Sequence, residues 1–203
     1  MTNKNLMILC FIVFFTMGCT TAGPKFIGIQ YIGQKKAVRG ENIGIAMFSD
    51  IRGDVEKNYL GKRVLNSGAQ ELYFVKSSNL NATITNAFKT HLENQGYTCF
   101  NILDFQHNVS ILNRVDKKYQ YILTGEIKEF EFFANKGLAT AMSMDIKLIV
   151  YLGNVKTGTF RTIPVNLNLK RKDINFTEKR VGNFINESLK EVIIHSMKPG
   201  NFK

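Results

Sequence analysis

The apolar residues from Ile43 onward fall into short runs separated by polar punctuation. Ile43 to Phe48 is apolar throughout and short, as expected of a strand covered on both faces. Ser49-Asp50-Ile51-Arg52-Gly53-Asp54 then predicts a turn, followed by a mixed loop to about Ala69. Leu72 and Phe74 suggest a second short strand. Leu80, Ile84, Ala87, Phe88 and Leu92 are spaced by threes and fours and form one helical stripe, with Asn86, Lys89 and Glu93 on the wet side. Ser77-Ser78 offers that helix an N-cap and Gly96 a stop.

Three long strands are expected after a strand at Thr98–Leu103. Tyr121 to Phe133 places Leu123, Gly125 and Ile127 on one parity but Phe130 and Phe132 on the other, which a bulge near Lys128-Glu129 would reconcile. Asn135-Lys136-Gly137 predicts a hairpin turn. Met142, Met144, Ile146, Leu148, Val150 and Leu152 then alternate with polar residues, a turn follows at Gly153–Gly158, and Ile163, Val165, Leu167 and Leu169 alternate again. Such alternation marks a sheet with one buried and one wet face. A last helix, about Thr177 to Met197, carries Val181, Phe184, Ile185, Leu189, Val192 and Ile193 on one face and ends at Pro199-Gly200. The expected fold class is α+β: a two-layer sandwich, with a mixed or antiparallel sheet and two amphipathic helices packed on one face.

The first residues change the picture. Met1 to Asn5 is polar and carries Lys4, Leu6 to Met17 is apolar, and Gly18-Cys19 follows. This is the layout of a secretory signal. The apolar run is about a dozen residues, against roughly 20 for a membrane-spanning helix, so cleavage is expected rather than a permanent span. Cysteine directly after a small residue is the mark of a lipoprotein signal, in which the thiol is acylated before the cut. Each buried methylene contributes about 0.8 kcal/mol, and two or three acyl chains hold a protein where one would not. Ordinary secretion with a cut after Ala22 competes, and Thr16 and Met17 depart from the usual residues, but Gly18-Cys19 favours lipid on Cys19.

The expected organisation is therefore a signal peptide over residues 1–18, a lipid-anchored tether over 19–42 and a single α+β domain over 43–203. Glycines at 23, 28, 33 and 40 suit a tether. Phe26, Ile27, Ile29, Tyr31 and Ile32 do not, and suggest that the segment lies along the domain in extended form. Thr20, in place of the Asp that retains enteric-type lipoproteins at the inner membrane, points to the outer membrane, facing the periplasm. The soluble periplasm is the alternative.

Of three cysteines, Cys10 lies in the signal and Cys19 at its cut, so Cys99 is left alone, in an apolar stretch where it reads as a small buried hydrophobe. The formal charge is +11. Its bases are scattered as Lys35-Lys36, Lys62-Arg63, Lys117-Lys118, Lys170-Arg171-Lys172 and Lys179-Arg180, without interleaved aromatics, and export argues against nucleic acid as partner. A tethered basic domain would instead feel anionic headgroups beside it, although a solvated basic surface with no specific partner is the simplest account of the charge.

Enzymatic chemistry finds no support. His91, His107 and His195 occupy separate elements with no ligand spacing, so no metal or other cofactor is expected. There is no Gly-x-Ser-x-Gly elbow, and Gly61-Lys62 lacks the spacing of a phosphate loop. Asp50 and Arg52 are the candidate contact: at spacing two they project to one side, where the guanidinium could bind an anion or a partner's carboxylate. Alternatively Asp50 orders the turn and Arg52 pairs with it.

Several of these pieces together resemble a known family. The strand running into Asp50-x-Arg52, the helix ending Gly96-Tyr97, Leu123-Thr124-Gly125-Glu126-Ile127, the paired-strand meander and Asn183-Phe184-Ile185-Asn186-Glu187-Ser188-Leu189 are similar to the YajG-like bacterial lipoproteins. More loosely the chain resembles auxiliary lipoproteins of ABC-type envelope transporters. The stretch from Asp54 to Gln70 departs from that compact pattern. The resemblance implies an envelope lipoprotein, often of the outer membrane, with no established enzymatic reaction to carry over. The chain is read as a non-enzymatic module that binds or braces something at the envelope, such as an envelope protein or transporter. The looser likeness implies a transporter accessory handling lipid or another amphiphile.

Overall fold

The computed structural model describes residues 23–33, 40–76, 79–103, 105, 109–137, 139–198 and 200. The signal, Cys19, Ser77-Ser78, His107 and Pro199 lie outside the described residues. The strands are β1 (Lys25–Ile27), β2 (Asn42–Ala46), β3 (Ser49–Asp50), β4 (Tyr59–Val64), β5 (Gln70–Val75), β6 (Thr98–Ile102), β7 (Tyr121–Asn135), β8 (Thr140–Asn154) and β9 (Thr159–Asp173). The helices are α1 (Leu80–Asn94), the single turn α2 (Val109–Leu112) and α3 (Glu178–Ser196). The class is α+β, with a large mixed sheet.

β7 is the spine of that sheet. One edge pairs along its length with β8, which pairs in turn with β9, all antiparallel. The other edge is shared by three parallel neighbours: β2 at its start, β3 in its middle and β4 at its end. The expected bulge is present, between Ile127 and Glu129. Lys128 is skipped in the pairing, so Ile127 and Phe130 are both buried despite their opposite parity. At Gly125 a Cβ would stand 2.3 Å from the Phe48 ring, so only glycine leaves room for that buried phenyl.

Where a loop was expected, Tyr59–Val64 forms β4, between β5 and β7. Gly61 hides the pattern. Its φ of +147° is one that side-chain-bearing residues rarely adopt, and a Cβ there would fall 1.8 Å from the Phe132 carbonyl oxygen. The register shifts between Tyr59 and Gly61, which breaks the alternation a strand would show. In β5 the buried residues are Tyr73, Phe74 and Val75, while Leu72 is 39% exposed.

The helices hold the core as patterned. Leu80, Ile84, Ala87, Phe88 and Leu92 of α1 and all six predicted apolar residues of α3 are buried. They share one cluster with Ile43, Ile45, Leu123, Phe132 and the alternating apolar residues of β8. Asn79, not a serine, occupies the N-cap of α1, while Thr177 caps α3 by accepting from Arg180 N. The end of the sheet built from β1, β5, β4, β7, β8 and β9 curls around α3, because β1 and β9, its outermost strands, both touch that helix. β1 lies inside the stretch expected to be a tether: it pairs in parallel with β5, and Ile27 is buried. No helix among the described residues is long and apolar enough to cross a membrane.

Candidate functional site

Asp50 and Arg52 are brought together as the spacing suggests. Arg52 Nε donates to Asp50 Oδ1 at 2.8 Å and Nη2 to Oδ2 at 2.9 Å, a bidentate pair. Nη1 donates to the carbonyls of Tyr59 (2.8 Å) and Phe130 (3.4 Å), and Nη2 also reaches that of Glu56 (3.5 Å). All five guanidinium N–H groups are thus engaged inside the chain, and the Arg52 side chain is only 5% exposed. The arrangement ties the loop between β3 and β4 to the β7 bulge. It leaves no donor turned outward for an anion.

The histidines stand apart. His91, on α1, is buried and meets the Tyr31 hydroxyl, whereas His195 closes α3. Among the described residues no cluster of three or more His, Cys, Asp or Glu could hold a metal ion. Cys99 is half-buried, and burial foremost, with the Glu93 carboxylate second, pushes its thiol pKa up to about 12. A thiol so held is a poor nucleophile.

A different set of residues converges at one end of the sheet. The registers bring together the start of β1, the end of β4, the start of β5, the end of β7, the start of β8 and the end of β9. Leu72, Lys62, Phe133, Ser143 and Lys170 lie in one cross-strand row, and Gln70, Val64, Asn135, Ala141 and Lys172 in the next row of the same face. A cleft of about 430 Å³ opens here, lined by Phe133, Ala141, Met142, Lys170 and Lys172 among others. Phe133 is 37% exposed, and Ile174, just past β9, is 91% exposed.

This end was only half legible in the sequence. Lys170-Arg171-Lys172 stood out as the one basic triplet, but its meeting with Lys62 and Leu72 depends on β4 lying between β5 and β7. The acids of this end are occupied: Glu71 pairs with Arg63, Asp173 with Arg180, Glu178 with Lys25 and Glu187 with Arg171. No ion pair among the described residues engages Lys62, Lys136, Lys170 or Lys172. A second cleft, about 350 Å³, lies beside α1 and is lined by Gln30, Thr83, Asn86 and Thr90 and, in about equal measure, by Ile29, Tyr31 and Ala87.

No protein-family model matches the chain, and no curated protein does. Several solved structures are similar to it. A Xanthomonas campestris protein of family DUF330 superposes with a TM-score of 0.53 at 11% identity, covering 84% of this chain and 91% of that one. The hypothetical protein CT253 from Chlamydia trachomatis gives 0.43 at 9%, covering 76% and 94%. The lipoprotein GNA1162 from Neisseria meningitidis gives 0.35 at 9%, covering 75% and 97%. At 11% identity the first likeness is one of fold alone, and the other two, with TM-scores under 0.5, carry no argument.

Proposed function

We propose that this chain is a lipid-anchored envelope lipoprotein, acylated on Cys19, whose α+β domain binds or braces an envelope partner without catalysing a reaction. The observation that carries the proposal is the sequence Gly18-Cys19 directly after a charged start and a short apolar core. The resemblance to YajG-like lipoproteins points the same way. The finer architecture in this proposal is a two-layer sandwich with both helices on one sheet face, supported by the single core that both helices share.

The anchor is short. Cys19 stands six residues before Lys25, the first strand residue, and an extended chain spans at most about 3.6 Å per residue. The lipid is then held within about 22 Å of the sheet. Thr20 favours the outer membrane over the inner. A role in handing lipid or another amphiphile to a transporter calls for an apolar groove between helix and sheet. The cleft beside α1 is lined by polar and apolar groups in about equal measure and so differs from such a groove, which supports bracing over carriage.

Replacement of Cys19 by Ala tests the proposal. The parent should incorporate labelled fatty acid and fractionate with membranes, and Cys19→Ala should do neither. A parent that takes up no fatty acid would refute it. Density-gradient separation addresses the membrane: recovery only in inner-membrane fractions would contradict the outer-membrane assignment.

A further inference from the structure

We infer that the curled end of the sheet is a membrane-facing surface, which docks onto anionic phospholipid headgroups beside the lipid anchor. The inference rests on acylation at Cys19 and adds to it the face of the domain that meets the bilayer.

Three independent observations converge on this end. The first is where the chain emerges. β1 runs parallel to β5, with Lys25 opposite Tyr73, so Gly23 and Pro24 leave the sheet at the end where β5 begins and β7 and β9 finish. The six residues back to Cys19 cannot reach around the domain: β7 alone has 15 residues, or roughly 50 Å at 3.3 Å per residue. This end of the sheet is therefore held close to the bilayer, and the β8–β9 hairpin turn at residues 155–158 points away.

The second is charge. Lys62, Lys136, Lys170 and Lys172 crowd this end with no acid among the described residues paired to them, because Glu71, Asp173, Glu178 and Glu187 are bound to Arg63, Arg180, Lys25 and Arg171. The basic character is local. One row further along the strands the same face carries Glu131, Asp145 and Asn168, and beyond it Glu129 beside Lys147. Among the described residues of this face, the end is the part that matches an anionic surface.

The third is apolar exposure. Ile174 is 91% exposed in the loop after β9, within two residues of Lys172, and Phe133 and Leu72 share a row with Lys62 and Lys170. Exposed large apolar groups among lysines suit a headgroup layer, where apolar side chains can sink and ammonium groups meet phosphates. Cys19 supplies the strong anchor, and the surface fixes the domain's orientation.

The test uses the acylated full chain in vesicles, with Cys99→Ala and one new cysteine carrying an environment-sensitive fluorophore. Ile174→Cys and Phe133→Cys report on the proposed surface, and Lys156→Cys, in the β8–β9 turn, on the far end. In vesicles of phosphatidylcholine with phosphatidylglycerol, the labels at 174 and 133 should shift to the blue and be quenched by headgroup spin labels, while that at 156 should stay in water. Replacing Lys62, Lys170 and Lys172 by Gln should shift the docked–undocked equilibrium by on the order of a hundredfold, at about fivefold per base near an anionic surface. Labels at 174 and 133 that stay in water on acylated protein would overturn the inference and leave the anchor intact. A blue shift that rises with protein concentration in detergent without vesicles would identify a second copy of the chain as the occupant and also overturn it. A chain that carries no lipid would remove the anchor, and the inference with it.

Discussion

The Tyr31 hydroxyl lies 2.6 Å from His91 Nδ1, and the two rings meet edge to face with centroids 5.1 Å apart. Their separation of 60 residues makes this a clasp between the N-terminal segment and the buried face of α1. Nearby, Gln30 N donates to Asn186 Oδ1 at 3.0 Å, so the same segment also meets α3. These contacts, with the pairing of β1, explain the large apolar residues in a stretch otherwise suited to a linker. Tyr31→Phe keeps the ring and removes the hydroxyl. It should cost about 0.5–1.5 kcal/mol and lower Tm by about 2–4 °C per kcal/mol in a thermal melt. An unchanged Tm would show that the clasp contributes nothing.

The Phe88 ring is fully buried and stacks on Phe48 at a centroid distance of 4.9 Å. Phe88→Ala should cost about 3–5 kcal/mol, a large share of a total near 5–15. At about 1–3 kcal/mol per molar urea, its midpoint should fall by more than about 1 M. Lys89→Ala, one residue on, should barely move it. Equal small shifts for both would place α1 outside the core.

Much of the architecture could be read from alternation and helical spacing because in β8, α1 and α3 each side chain either reaches the core or does not. The β7 bulge was legible for the same reason, since Ile127 and Phe130 could not otherwise both be inside. β4 was not legible. Gly61 contributes no side chain to the pattern, and Lys62 and Arg63 read as polar although Arg63 lies over the Phe176 ring at 3.9 Å and pairs with Glu71. Losing β4 also concealed the basic end of the sheet, which exists only because β4 brings Lys62 beside Phe133.

The clasp of Arg52 on Asp50 should resist conservative replacement. An ammonium cannot supply the planar fork that holds both carboxylate oxygens and three carbonyls, so Arg52→Lys should destabilise the domain. Arg52→Met would leave the Asp50 carboxylate, 14% exposed, without its partner and should cost about 3–5 kcal/mol. Chemical denaturation checks both. Arg52→Lys with parental stability would show that the fork geometry is dispensable.

Cys99 should be slow to react with thiol reagents in the native chain. Its pKa is raised by burial from near 9 to about 12, so folding favours the protonated thiol. That contribution to stability is full below pH 9 and is lost as pH rises from 9 through 12. Colorimetric thiol titration at pH 8 should therefore be slow in buffer and fast in urea. Equal rates in the two would contradict the burial.

Mass spectrometry of the N-terminal peptide of the protein recovered from membranes tests the lipoprotein assignment most directly. Acylation at Cys19 predicts a mature chain that begins at Cys19, with its mass raised by a diacylglyceryl group and further by any acyl chain on the new amino terminus. A mature chain that begins at Gly23, after a cut behind Ala22, and carries no lipid would contradict it.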